Sequence, residues 1–146
     1  MIMDATLQFS NAQAITASAA STNTIDLGAT GTVYGAAAAI VRDVGKGEAI
    51  PLAVTVTETF ATLTSLTISI ETDDNSSFSS AKTVWRSPAY TVAQLTVGAE
   101  YILPDALPVG TNERYVRLYY TVAGSNATTG KITAGAVMAR NSNTNR

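Results

Sequence analysis

Cysteine and histidine are both absent from the 146 residues of this chain. Their absence excludes thiol nucleophiles, histidine-based catalytic triads and the Cys/His ligand sets of zinc sites. The 11 Asp and Glu residues could still supply a pair of glycosidase carboxylates. Sugar-cleaving sites usually carry aromatic platforms, however, and the chain has one Trp. We therefore predict that the protein is not an enzyme and that it needs no metal and no cofactor.

Charge is also scarce, because charged residues make up 14% of the chain, against about 25% in an average soluble domain. Nine Lys and Arg face 11 Asp and Glu, which gives a net charge of −2. Proteins that bind nucleic acid are normally basic, so we expect no nucleic-acid partner. The sequence is instead rich in Ala (24), Thr (22) and Ser (12). A surface of methyl and hydroxyl groups suits a protein that lies against another protein.

Long hydrophobic runs are missing as well. The longest run of small apolar residues is Gly35–Val41, far short of the 18 or so residues that suggest a membrane-spanning helix. The first 15 residues contain neither the basic start nor the apolar run of a secretory signal. We therefore expect no membrane partner and no secretory signal.

The dominant sequence period is two, which is typical of half-buried antiparallel strands. It is clearest in Ile50–Thr57, Ser65–Glu71 and Tyr115–Val122, where β-branched and other apolar residues alternate with polar ones. Weaker versions of the same pattern predict six further strands: Lys131–Met138, Thr83–Arg86, Tyr90–Leu95, Thr6–Phe9, Thr24–Leu27 and Glu100–Leu103. Turn signals separate these runs. The sequence therefore predicts an all-β protein, a single-domain antiparallel β-sandwich of about eight short strands.

Both ends of the chain differ from its middle. Residues 1–23 are rich in Ala, Ser, Thr and Asn after position 10, and residues 139–146 are almost wholly polar. We predict an extended N-terminal arm over 1–23, the β-sandwich over 24–138 and a polar C-terminal tail over 139–146. For Ala36–Val41, between two glycines, a turn of helix, a strand and an irregular loop all stay open.

Three short motifs resemble chemical sites, and each has a simpler explanation. Ser79–Lys82 has the S-x-x-K spacing of serine–lysine enzymes, but it lies in a Ser-rich turn and no partner motif follows. Asp73–Asn75 could offer oxygen ligands to a cation, although Asx-turn chemistry accounts for it. Gly45–Gly47 lacks the first glycine and the Ser or Thr of a phosphate-binding loop.

One strand face has the composition of a protein interface. Within Glu113–Val122, alternation places Tyr115, Arg117 and Tyr119 on the face opposite Val116, Leu118 and Tyr120. Tyr and Arg are enriched at interface hot spots. The alternative is that these side chains pack under a loop of the same domain. We name six candidate interface residues, the last two in the N-terminal arm: Tyr115, Arg117, Tyr119, Arg114, Phe9 and Ile15.

Several of these segments together resemble a known family. Arg42–Glu48 leads into the alternating Ile50–Val56, and later RYVRLYYTVAG at 114–124 is followed by TTGKITAG at 128–135. This looks like the capsid cement, or decoration, protein family of tailed bacteriophages, of the type found on short-tailed phages. The resemblance runs from about residue 25 to residue 138, and its most specific part is the 114–135 region.

The resemblance implies a jelly-roll-like β-sandwich that sits on the outer surface of the virion, made in the bacterial host cytoplasm. Its partner would be the major capsid protein, whose neighbouring subunits it would clamp in the DNA-filled head. It would also bind itself, as a dimer or trimer. The alternative function is a carbohydrate- or receptor-binding β-sandwich module of a phage tail or fibre, with an exposed aromatic platform around Trp85 or Tyr90.

Overall fold

Two very long strands form the frame of the protein. A computed structural model describes residues 2–101, 104 and 106–139. Within these residues there are eight strands: β1 Ile2–Ala14, β2 Ala19–Ala20, β3 Ile25–Asp26, β4 Leu52–Asp73, β5 Lys82–Arg86, β6 Tyr90–Thr91, β7 Glu100–Tyr101 and β8 Tyr115–Ala139. Two short 3-10 helices cover Val44–Lys46 and Val92–Gln94. The prediction of an all-β, antiparallel protein is confirmed.

All strands belong to one antiparallel sheet in the order β1-β8-β4-β5. The central pair, β8 and β4, is hydrogen-bonded from Asp73 opposite Tyr115 to Leu52 opposite Ala136. The short strands β2 and β3 lie beside the first half of β8, on the side where β1 lies beside the second half. On the outer side of β4, β5 and β6 pair with its second half and β7 with its first half.

The sheet folds over on itself to form a sandwich. Register shifts interrupt the β4–β8 pairing between Val56 and Ser65, which is where both long strands bend. Beyond the bend the layers face each other, since Ser10, beside Ala134 of β8, hydrogen-bonds Tyr120 in the first half of the same strand. We call this bend the bend end of the sandwich. The terminal end is the opposite one, where β8 both begins and finishes.

The core lies between the two layers and comes from the inward side chains of both long strands and β1. Apolar transfer of about 25 cal/mol per Å² makes this burial the main stabilising contribution. The largest fully buried side chains are Tyr120, Phe9, Ile15, Leu52, Leu66, Ile68, Ile70, Leu95, Leu118, Ile132 and Val54. Most of them fall on the alternating positions that the sequence pattern places inward.

The long strands merge what the sequence predicts as separate strands. The predicted strands Ile50–Thr57, from Leu52 onward, and Ser65–Glu71 are two parts of β4. Tyr115–Val122 and Lys131–Met138 are two parts of β8. The N-terminal stretch, predicted as an extended arm, is extended but pairs with β8 as β1 and β2, so these two strands are part of the sandwich.

Smaller differences occur at the ends of the other predicted strands. Tyr90–Leu95 is a strand only at Tyr90–Thr91 and then turns into a 3-10 helix. The predicted Glu100–Leu103 strand is observed as Glu100–Tyr101, and Leu103 lies outside the described residues. Ala36–Val41 is irregular. Of the predicted tail, residues 140–146 lie outside the described residues.

A buried polar network joins the two layers of the sandwich. Ser10 Oγ donates to Gln13 Oε1 at 2.6 Å and lies 2.8 Å from Tyr120 Oη, so Tyr120 donates to Ser10. Gln13 Oε1 also accepts from the backbone amide and the hydroxyl of Thr22. Burial raises the pKa of the Tyr120 hydroxyl above its usual value near 10. The folded protein therefore keeps this proton at a pH where the unfolded chain loses it.

We expect Tyr120→Phe to lower the free energy of unfolding by about 1–2 kcal/mol at pH 7, because Ser10 loses a buried hydrogen-bond donor. In the wild type, the free energy of unfolding should decrease as the pH rises above 10, because only the unfolded chain then loses the Tyr120 proton. The variant lacks this group, so its free energy of unfolding should decrease less steeply. Urea denaturation at pH 7 and pH 11 measures both effects. Tyr34→Phe is the matched control, because Tyr34 is fully exposed. Equal alkaline slopes for Tyr120→Phe and wild type would contradict the assignment.

Candidate protein interface

The predicted Tyr–Arg–Tyr face exists, but part of it is covered by the protein itself. Tyr115, Arg117 and Tyr119 are half-buried, whereas the alternate positions of β8 are buried in the core. Across the sheet, Arg117 lies opposite Glu71 and Tyr119 opposite Ser69 of β4. The alternation predicted for β8 is therefore present, and its half-buried side limits how much of this face a partner can reach.

Arg117 is engaged in three contacts within its own chain. Its Nε and Nη2 atoms each lie 2.8 Å from Glu71 Oε2. Its guanidinium stacks 4.1 Å from the ring centre of Phe78 and 5.6 Å from that of Tyr119. Phe78 is buried and comes from the loop between β4 and β5. The alternative of packing under a neighbouring loop thus describes Arg117 well.

Asp73 at the end of β4 shapes the loop that carries Phe78. Its carboxylate accepts hydrogen bonds from the amide of Asn75 and from the amide and hydroxyl of Ser80. These bonds, the one from Asn75 first, lower the pKa of Asp73 against the opposing effect of desolvation. The Asx-turn interpretation of Asp73–Asn75 is therefore confirmed. This acidic side chain is used to close a turn.

Arg114, just before β8, is more open. It forms a two-pronged ion pair with Asp26 of β3, with distances of 2.8 Å and 2.7 Å, and lies over the Tyr115 ring. Hydrogen bonding to Arg114 lowers the pKa of Asp26 to about 2. Both side chains are about two-fifths exposed. Together they form a charged rim at the terminal end of the sandwich.

Phe9 and Ile15 are not interface residues. Both are fully buried in the hydrophobic core of the chain. The prediction was wrong because it treated residues 1–23 as an arm free to reach a neighbour. In the structure this stretch pairs with β8, and the amide of Ile15 donates to the carbonyl of Gly130 at 3.0 Å. That pairing turns both side chains inward.

The most exposed apolar surface was not among the candidate residues. Residues 29–41, which we call the apolar loop, are all exposed and connect β3 to the first 3-10 helix. Tyr34 is fully exposed and Val41 is 90% exposed, while Val33 and Ile40 are each more than half exposed. No charged residue occurs between Asp26 and Arg42. That charge-free stretch was the available sequence signal, since exposed apolar residues grouped in one segment often mark a binding site.

Further exposed apolar side chains lie on the other layer of the sandwich. They are Ile2 and Leu7 of β1 together with Met138 of β8, and we call this set the β1 patch. Because Ile2 lies opposite Ala139 and Asp26 lies opposite Tyr115, the β1 patch and the base of the apolar loop share the terminal end. This end of the molecule therefore presents apolar groups from both layers.

A cavity of about 240 Å³ opens at the base of the apolar loop. Its lining carries charges of both signs, and one of them, Arg42, donates to the carbonyl of Gly28 at 2.8 Å. The lining residues are Gly28, Ala29, Thr30, Arg42, Asp74, Asn112, Glu113 and Arg114. Such a mixed polar wall can form hydrogen bonds with a neighbouring surface.

The described part of the chain contains no group of three or more Asp or Glu side chains placed to hold a metal ion. Ser79 lies in the turn after β4, as predicted, and Lys82 is the first residue of β5. Within the same residues, none of the helices has the length and apolar character needed to cross a membrane.

The chain can also be compared with known proteins. A sequence model of the Bbp16 family matches residues 9–139, which is most of the chain. The chain belongs to the Bbp16 family. No curated protein matches it at a significant level. The Bbp16 match includes the apolar loop and both long strands, whereas Ile2 and Leu7 of the β1 patch lie outside it. The apolar loop therefore lies wholly within the Bbp16 region.

Proposed function

We propose that this Bbp16-family protein is a structural virion protein that binds the outside of a phage capsid. It cements neighbouring major capsid protein subunits and so stabilises the DNA-filled head. It has no enzymatic role and no cofactor, and it assembles with itself as a dimer or trimer. The observation that carries the proposal is the terminal end of the sandwich, where both layers expose apolar groups next to a rim of charge.

A cement protein needs a rigid body with more than one contact surface. The apolar loop and the β1 patch supply exposed apolar side chains on different layers, while β4 and β8 run through both layers and hold them together. Many weak contacts of this type, repeated over a closed shell, bind multivalently. The sequence resemblance at 114–135 to capsid cement proteins supports the same function.

The alternative, a glycan-binding module, is less well supported. It requires an exposed aromatic platform, and the two aromatic residues expected to form one are both half-buried. Trp85 and Tyr90 pack against the hydrophobic core, and the Tyr90 ring lies 4.2 Å from the ring of Tyr101. Burial accordingly raises the pKa of Tyr90.

The proposal predicts a fixed number of copies of this chain per major capsid subunit in purified, DNA-filled heads. Quantitative mass spectrometry of heads separated from tails measures that ratio. A ratio close to a small whole number, or to a simple fraction of one, would support cementing. Absence from heads would overturn the proposal, and a few copies per particle found only with tails would favour the glycan-binding alternative.

A further inference from the structure

We propose that the apolar loop is the segment that docks into the shell, with Tyr34 and its neighbours seated in an uncharged apolar crevice formed by folded protein subunits. This inference rests on the proposed function. It adds which part of the chain makes the contact and what chemistry the partner surface has.

The apolar loop has little role in holding its own domain together. It is tied down at its two ends, where the amide of Leu27 donates to Arg114 and the amide of Val44 donates to Thr111. Inside the loop, among the described residues, Ala36 donates to Val33 and Ile40 donates to Gly31. All 13 residues from 29 to 41 are exposed, so the fold gains little apolar burial from them. Contact with a partner would bury the apolar surface that the fold leaves exposed.

The charge pattern identifies the chemistry of that partner. The 15 residues from Leu27 to Val41 contain no charge, whereas Asp26, Arg42 and Asp43 stand at the two ends of the stretch. An apolar centre with a charged rim is the usual arrangement of a protein–protein contact. Nucleic acid and anionic membranes are instead bound through clustered Lys and Arg, of which the loop has none.

The size of the loop also fits a protein contact. One side of a standard interface covers about 800 Å². Tyr34, which is fully exposed, can bury on the order of 150–250 Å² by itself. Val33, Ile40 and Val41 of the same loop are exposed as well. With the rim residues around the cavity, the loop can therefore supply a large share of a standard contact.

The experiment measures binding of the full chain to purified heads that were assembled without it, by co-sedimentation over a range of concentrations. Tyr34→Ser should weaken binding at least 10-fold, in the range of an interface hot spot. Val97→Ser is the matched control. Val97 is 63% exposed but lies at the bend end, where its amide donates a hydrogen bond to the hydroxyl of Thr59. This control should stay within 2-fold of wild type. Raising NaCl from 50 to 500 mM should change wild-type affinity by less than about 3-fold, because the contact centre is uncharged.

The outcomes separate the two proposals. Failure of the wild-type chain to bind heads overturns the proposed function and this inference with it. Normal wild-type binding with equal binding by Tyr34→Ser overturns the inference alone. The inference is also overturned if Tyr34→Ser changes the oligomeric state in analytical ultracentrifugation, or if wild type but not Tyr34→Ser floats with anionic lipid vesicles. The first result would assign the loop to contact with a second copy of the chain, and the second would assign it to a membrane surface.

Discussion

Gly130→Ala should lower the free energy of unfolding by about 3–5 kcal/mol, as measured by urea denaturation at pH 7. Gly130 has a φ angle of 139°, a backbone conformation that residues with a side chain rarely adopt. A Cβ atom at this position would also lie 2.3 Å from Cδ1 of Phe60, whose side chain is buried. The substitution therefore combines backbone strain with overpacking at the bend of β8.

Gly110→Ala separates these two effects. Gly110 also has a positive φ angle, 98°, but nothing lies within 4 Å of a Cβ atom built there. This control should lose only the backbone part, roughly 1–2 kcal/mol. Equal losses for the two variants would contradict the clash with Phe60. A double variant, Gly130→Ala with Phe60→Leu, should recover part of the loss if the ring is the obstacle.

The same bend shows why the sequence predicts the strands better than their connections. Alternation at Ile50–Thr57, Ser65–Glu71 and Tyr115–Val122 reports which side chains are buried, and burial follows it. The residues around Gly124 and Gly130, by contrast, have the composition of a turn. Local composition cannot distinguish a turn between two strands from a bend within one strand. That choice depends on β4, which is bulged at the same level and continues the pairing across the bend.

The candidate interface follows the same division. The pattern of β8 was enough to place Arg117 on the outer face, because that placement depends only on neighbours in sequence. Its partner Glu71 is 46 residues away, and Phe78 reaches it from a separate loop. The exposure of the apolar loop is likewise non-local, since a charge-free stretch is exposed only when no other element covers it. These contacts are properties of the assembled sandwich.

Arg117→Ala is expected to lower the free energy of unfolding by about 2–4 kcal/mol. The side chains of Arg117 and Glu71 are only 18% and 13% exposed, so removing the guanidinium leaves a carboxylate that is poorly solvated and unpaired. The stacking on Phe78 is lost as well, which loosens the loop after β4. Urea denaturation at pH 7 measures the change, and Arg117→Lys should recover only part of it, because Lys lacks the planar fork.

Arg114→Ala provides the comparison, since its ion pair with Asp26 has similar distances but is 42% and 43% exposed. Water screens exposed pairs, so this variant should be about as stable as wild type.

The pair of variants also decides what the Tyr–Arg–Tyr face does. If Arg117→Ala has a lower free energy of unfolding and its folded molecules bind heads as well as wild type does, Arg117 supports the fold. If its stability is unchanged while head binding falls, Arg117 contacts the partner, and its ion pair with Glu71 must open on binding.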